Sequence, residues 1–500
     1  MALMGLDIGT TGCKCAVFTE DGRQLSYQYQ EYQRDIGSSE IDGAAIWDYF
    51  QQMIPAAVQE SRADITAIAV TSCGEAIAPI GKNGIPLHPF FQSIDTRGNR
   101  YIDRFSQDIK ERIRRVTGLQ PLPRYSLSKL AYLRSERQDI FRQAWKYMCL
   151  EDYILYCLTG RAVTDYTVST RTAAFNIYTK SFEPEILEAV GIRTDQMCEC
   201  VPAGAAVGYI RPSLAAPLKL STGTLAVAGG HDSIPEALCS GLLSPQAAVL
   251  GCGTAEGLSV LIPSDTSHGN ELLRYNFNRE PYPIPEYHLS FGVNANSGNL
   301  IKWFRDILGT DALAQSRQTG ENPYQILDRT VSPGPTGLLA VPHFVGSSSP
   351  DFVKEARGTI AGLRLSTTKG DIYKSLIEGD GYELAYIMEK FSGCGISMGE
   401  IRASGGGAKS NVQLQIKADI LGTPLIPMQT KDTTVAGCAM MAGTASGVYD
   451  SYRQAAEYYV KMGPAIEPVP AHHRRYRELY GSYRALRAAM LNFWTQTNHP

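Results

Sequence analysis

The sequence predicts an α/β protein made of two related domains, each built on a mixed sheet covered by helices. Three observations predict it: an opening series of short apolar runs broken by tight turns, a second opening of the same kind about 240 residues later, and a closing series of alternating helices and strands around a glycine loop. In the first, Ala2 to Ile8 is apolar, Gly9-Thr10-Thr11-Gly12 is a turn cluster, Cys13 to Thr19 is apolar again, and Asp21-Gly22 is a hairpin turn leading into Gln24 to Tyr32. Two tight turns make these three strands antiparallel. Residues 44 to 60 then carry Ile46, Tyr49, Phe50, Met53, Ile54 and Val58 at helical spacing, and Ile65 to Val70 follows as a short buried strand.

A helix expected from about Pro235 to Leu242 precedes a domain boundary near residue 245, which divides the chain into 1–245 and 246–500. The second opening follows directly: Ala247 to Leu250 is apolar, Gly251-Cys252-Gly253-Thr254 is a turn cluster, and Leu258 to Ile262 returns as a strand. Thr368 to Phe391 has a helical pattern stopped at Gly393, and a strand at Glu400 to Ala403 runs into Gly405-Gly406-Gly407. Val412 to Leu421 is a helix ended by Gly422, Pro424 to Met428 a strand, and Thr434 to Ala442 a helix of small residues. The glycine loop therefore sits at the carboxyl end of a strand, where α/β sheets bind ligands. Residues 472 to 494 interleave five arginines with Tyr476, Leu479, Tyr483, Leu486 and Met490, which predicts a surface helix whose aromatic stripe packs inward while its arginines stay solvated.

Composition removes several functions. With 44% hydrophobic and 19% charged residues the chain lacks the signature of disorder. Its 47 basic and 50 acidic residues give a net charge of -3, so no positive field exists to hold nucleic acid or an anionic membrane. Eleven cysteines form no even framework, and Cys13/Cys15 and Cys198/Cys200 are spaced too closely for zinc knuckles, so reduced thiols are expected. No apolar run approaches the ~18 residues that span a bilayer, and Asp7 interrupts the place of a signal core, so a cytoplasmic protein is expected. A homodimer stays open as its assembly state.

Two segments could carry chemistry. Asp7 to Lys14 places a carboxylate at a strand end, hydroxyls and free backbone in the turn, and a lysine on the returning strand. Turn N–H groups with Thr10 and Thr11 hydroxyls suit phosphate oxygens, Lys14 supplies positive charge, and Asp7 can hold Mg²⁺ directly or through water. The pattern is not the G-x-x-x-x-G-K-[ST] loop; a plain hairpin bearing a surface aspartate is the competing explanation. In Gly229-Gly230-His231-Asp232-Ser233-Ile234-Pro235-Glu236, Ser233 and Glu236 read as a capping box that starts a helix just after Asp232. The helix dipole favours the charged carboxylate there, as a general base for a hydroxyl requires. The competing explanation is an aspartate that only extends the cap, and His231 reads as a local hydrogen-bonding residue. Gly405 to Gly407 before Ser410-Asn411 favour close backbone approach to a flat ligand such as adenine.

Together these segments resemble the FGGY family of carbohydrate kinases, whose two actin-like ATPase (ribonuclease H-like) domains close on a sugar and ATP. The resemblance covers most of the chain in order. It implies that Gly9, Thr10, Thr11 and Lys14 form a first phosphate motif, Gly253 and Thr254 a second, Asp7 a Mg²⁺ site, Asp232 the catalytic base, and Gly405, Gly406, Gly407 and Asn411 the adenosine segment. Thr71-Ser72-Cys73-Gly74-Glu75-Ala76 is similar to the strand end that meets substrate in the family, which makes Glu75, with Asp95 of Ser93-Ile94-Asp95-Thr96-Arg97, the candidate acceptors for sugar hydroxyls. Gly74 departs from the arginine of glycerol kinases, and Cys73-Gly74 departs from the Gln-Met-His-Gly run of xylulokinases. The implied activity is ATP-dependent phosphorylation of a primary hydroxyl on a ketopentose, ketohexose or polyol. The alternative is an actin-like ATP-binding regulatory or assembly protein without sugar chemistry.

Overall fold

The computed structural model describes residues 1–32, 38–265 and 269–497. Strands β1 (Ala2–Ile8), β2 (Gly12–Thr19) and β3 (Gln24–Glu31) form the expected antiparallel meander. Strand β4 (Ile65–Ser72) then runs parallel to β1. Strand β5 (Ala206–Tyr209) closes the edge antiparallel to β6 (Leu225–His231), which lies parallel to β4, so the sheet order is β5-β6-β4-β1-β2-β3. Helix α1 (Gly43–Ser61) connects the meander to β4; Asp42 accepts from the N–H groups of Ala44 and Ala45, and Ile46, Phe50, Met53, Ile54 and Ala57 are buried on its sheet side.

The plan repeats after residue 246. Strands β7 (Ala247–Cys252) and β8 (Glu256–Pro263) are antiparallel, β9 (Glu280–Pro281) and β10 (Tyr287–Asn294) extend the meander, and β11 (Glu400–Ser404) and β12 (Leu425–Pro427) add in parallel beside β7. The order is β9-β10-β8-β7-β11-β12. In both sheets an antiparallel meander is followed by two strands parallel to its first, so a faint likeness in sequence becomes a duplicated topology.

Helices α2 (Ser233–Cys239) and α5 (Thr433–Ala445) join the sheets. One apolar cluster holds Ala67 and Val227 of the first sheet, Val249 and Leu289 of the second, Ala237 of α2 and Ala439 of α5. The contact between the two helices leaves no room for a side chain at Gly437, where a Cβ would stand 1.9 Å from the Pro235 carbonyl oxygen. Gly437→Ala is expected to force the helices apart and lower stability by ~1 to 3 kcal/mol, read as a fall in denaturation midpoint; an unchanged midpoint would contradict this packing.

Helix α3 (Lys369–Gly393) begins at the capping box of Thr368 and Asp371, and α4 (Asn411–Leu421) ends at Gly422 with φ 66. Three expectations need correction. The helix expected over 235–242 is Ser233–Cys239, stopped by Gly241 at φ 76. Its capping box does not form, because Ser233 Oγ pairs with His231 Nδ1 at 2.8 Å and the Glu236 carboxylate accepts from Ser404 Oγ. In the terminal helix α6 (Pro470–Thr497), Tyr476 and Tyr483 are buried as expected but so is Arg487, whose Nε donates to Glu383 at 2.8 Å and whose terminal nitrogen donates to Asp351 at 2.7 Å. A guanidinium with two carboxylate partners can leave water, which the periodicity alone does not reveal. Among the described residues no helix is long and apolar enough to cross a membrane.

Candidate active site

Parallel register assembles the site. Ile8, Ser72 and His231 lie opposite one another at the carboxyl ends of β1, β4 and β6, so the turns that follow emerge along one edge. Backbone bonds hold them there: the Cys73 N–H donates to Ile8 O at 2.9 Å and the Asp232 N–H to Ser72 O at 3.0 Å. In the second sheet Gly251 pairs with Ser404, which sets the 253–255 turn beside Gly405. Gly405 has φ 85, and a Cβ there would lie 2.6 Å from Cys252 O, so only glycine fits.

The two edges enclose a cavity of 540 Å³. Of the residues singled out in sequence, Thr10, Glu75, Asp232, Gly253, Thr254 and Gly405 line it. Gly9, Thr11 and Gly406 are in the same turns, partly or fully exposed. Asn411 faces a separate hollow of 280 Å³ shared with Lys374 and His472. Asp95 is not among the lining residues: its carboxylate accepts from Ser39 Oγ at 2.7 Å and from the Arg97 guanidinium at 2.6 Å, while Gln92 and Ser93 of the same loop reach the cavity.

Behind Thr10, Lys14 Nζ lies 3.0 Å from Asp7 Oδ2 and 3.1 Å from Asp432 Oδ2. Asp432 caps α5, so this bridge ties the first turn to the helix joining the sheets. Burial pushes the Asp7 carboxyl up to about 7 against the pull of Lys14, with Asp432 and Asp232 adding to the rise. Asp7 Oδ1 is buried and lacks a hydrogen-bond partner among the described residues. A free carboxylate oxygen in a corner of mutually repelling carboxylates suits a divalent cation, so the residues present fit Mg²⁺.

Glu75, which also lines the cavity, is buried, with φ 67. Its carboxylate pairs with Arg171 and lies 3.4 Å from Arg124 Nε. Burial raises its pKa, but Arg171, Arg124 and His231 together outweigh burial and hold it at about 2. Gly74 makes room for this pairing, since a Cβ there would meet Arg171 Cγ and His231 Cδ2, each at 2.9 Å. Arg171 also donates to Glu280 of β9 at 2.8 Å, which extends the network into the second sheet. Asp232 ends this network with a side chain 39% exposed and no capping bond to its helix.

A third ion cluster supports the second turn. Lys417 of α4 is fully buried between Glu256, at the start of β8, and Asp380 of α3 at 2.8 Å, and Asp380 also accepts from Asn294 at 2.7 Å and Ser297 at 2.9 Å. Arg171, Glu280, Arg124, Asp432 and Lys417 escaped the sequence reading, because none belongs to a local motif and each meets its partner only through the fold.

Two sheets of one topology facing each other across a polar cleft define the actin-like class of two-domain proteins. The FGGY N-terminal domain model of the carbohydrate kinases matches residues 2–239 and the C-terminal model residues 252–446; the chain belongs to the FGGY family of carbohydrate kinases. It is 24% identical to xylulose kinase of Staphylococcus xylosus over 97% of this chain and 99% of that protein. It is 25% identical to gluconokinase of Bacillus subtilis (strain 168) over 99% and 97%. The fold matches the crystal structure of gluconate kinase from Lactobacillus acidophilus with a TM-score of 0.87 and 21% identity over 99% of both chains.

Proposed function

We propose that this carbohydrate kinase transfers the γ-phosphoryl group of ATP to a primary hydroxyl of a ketopentose or ketohexose, or of a polyol, with Asp232 as general base. The gluconokinase relatives add aldonic acids to the substrates worth testing. The observation that carries the reading is the position of Asp232: a part-exposed carboxylate just after β6 that lines one cavity together with Glu75 and the 253–254 turn. That is where a base must stand to take a hydroxyl proton. The turns at Gly9 to Thr11 and Gly253 to Thr254 would cradle phosphate oxygens, Lys14 would add its charge, and Gly405 to Gly407 would meet the adenosine, whereas Asn411, expected to join them, faces the separate hollow beside Lys374 and His472. Asp7 would hold Mg²⁺, which supplies neutralisation of phosphate charge when bound. Glu75 would accept a sugar hydroxyl, and Asp95 would hold the loop that presents Gln92 and Ser93. The boundary between the two domains is placed near residue 245.

A coupled ADP-release assay over pentuloses, hexuloses, polyols and aldonic acids tests the reading. At least one is expected to raise turnover above the sugar-free rate; no stimulation, in a folded protein that binds ATP, would contradict it. Glu75→Ala is expected to weaken sugar binding by ~1 to 3 kcal/mol and leave ATP binding without sugar nearly unchanged. An equal fall in ATP affinity would remove Glu75 from the sugar site.

A further inference from the structure

Asp232 does not stand alone. His231 Nε2 lies 3.3 Å from Asp232 Oδ1, and on the opposite side of the ring Nδ1 lies 3.2 Å from Glu280 Oε2 and 2.8 Å from Ser233 Oγ. Glu280 is fully buried, and its other oxygen accepts from Arg171 and from Asn278 Nδ2, each at 2.8 Å. Both its oxygens are therefore fixed, and one of them is aimed at the imidazole. Glu280 belongs to the second sheet, whereas His231 ends β6 of the first and Asp232 follows it at the start of α2, so the chain of three is complete only when the two sheets are together. A surface histidine beside an aspartate has no need of such a partner.

We propose that Glu280 and His231 form a proton relay behind Asp232, with both acting as positioning residues for the base. This rests on the reading of Asp232 as general base. Glu280 accepts from Nδ1–H and so leaves the Nε2 lone pair facing Asp232. As phosphoryl transfer proceeds, the sugar O–H bond breaks and an Oδ–H bond forms on Asp232. That bond then breaks as the proton passes to Nε2, which restores the Asp232 carboxylate and leaves an imidazolium between two carboxylates. The proton leaves to solvent as product departs. The relay works only with a neutral imidazole at the start, so turnover falls at pH below the His231 pKa.

The groups that face the ring are Glu280 from β9, Asp232 from its own loop, Arg171 from the end of the 166–170 helix and Glu75 from the 73–75 turn, with Phe291 of β10 on its apolar side at 6.3 Å between ring centroids. Burial lowers the imidazole pKa, but Glu280 and Asp232 outweigh burial and Arg171, and the net shift is upward.

The test combines pH–rate profiles with histidine-selective NMR titration of the full-length enzyme, the His231 resonance being identified by its loss in His231→Gln. In Glu280→Gln the His231 titration and the acid limb of kcat are both expected to move about one pH unit lower, and the kcat plateau to fall ~10-fold. His231→Gln, which leaves the Arg171–Glu280 pair intact should Glu280→Gln fold poorly, is expected to remove that limb and lower kcat ~10-fold or more with little change in KM. A uniform loss with an unmoved limb in both variants would overturn the relay and leave Asp232 as base. Sugar-dependent turnover surviving in Asp232→Asn would overturn the base itself, and the relay with it.

Discussion

Asp232→Asn is expected to lower sugar-dependent turnover by ~10²-fold or more while ATP still binds. The amide is nearly isosteric with the carboxylate, and the backbone bond from Asp232 to Ser72 that fixes the turn does not involve the side chain. What is lost is the capacity to accept a proton at a carboxylate that lines the cavity and is part-exposed just after β6. Steady-state kinetics with the best sugar, alongside calorimetric titration with ATP, separate the two effects. Turnover within a few fold of the parent would transfer the role of base to another group.

Lys417→Met carries the second large effect. The ammonium is fully buried between Glu256 and Asp380, and methionine preserves most of its volume. Removing the cation leaves two buried carboxylates without their counter-charge, a loss of ~3 to 5 kcal/mol when one partner of a buried pair is deleted. Denaturant unfolding measures it. Because Glu256 starts β8 directly after the 253–255 turn, the variant is also expected to bind nucleotide less well. A change below ~1 kcal/mol would show that the cluster contributes little to holding the turn.

Much of this was legible in the sequence where the signal is local. The β1 to β3 meander follows from two tight turns between apolar runs, and the glycine loop after β11 from a strand that ends in three glycines. Each rests on neighbours in the chain, as do the Asp232 and 253–254 turns. The network around Glu75 could not be read in this way. Arg171 is 96 residues from Glu75 and 109 from Glu280, and nothing in Ser169-Thr170-Arg171-Thr172 marks an arginine that will be buried. Asp95 shows the converse. Its short segment drew attention to a loop whose Gln92 and Ser93 line the cavity, but Arg97, two residues on, folds back and takes the carboxylate. The capping box failed for a related reason, since Ser233 and Glu236 find partners of higher consequence in His231 and Ser404 than in their own helix terminus.

On the proposed function the cleft moves a phosphoryl group onto sugar, rather than using ATP as the fuel of a switch. Phosphorus NMR of a reaction with ATP, Mg²⁺ and the most stimulating sugar tests it most directly. ADP and a sugar phosphomonoester are expected to appear in equal amounts, with neither formed at a comparable rate by Asp232→Asn. ATP consumed to ADP and inorganic phosphate, with no phosphomonoester from any sugar, would contradict it.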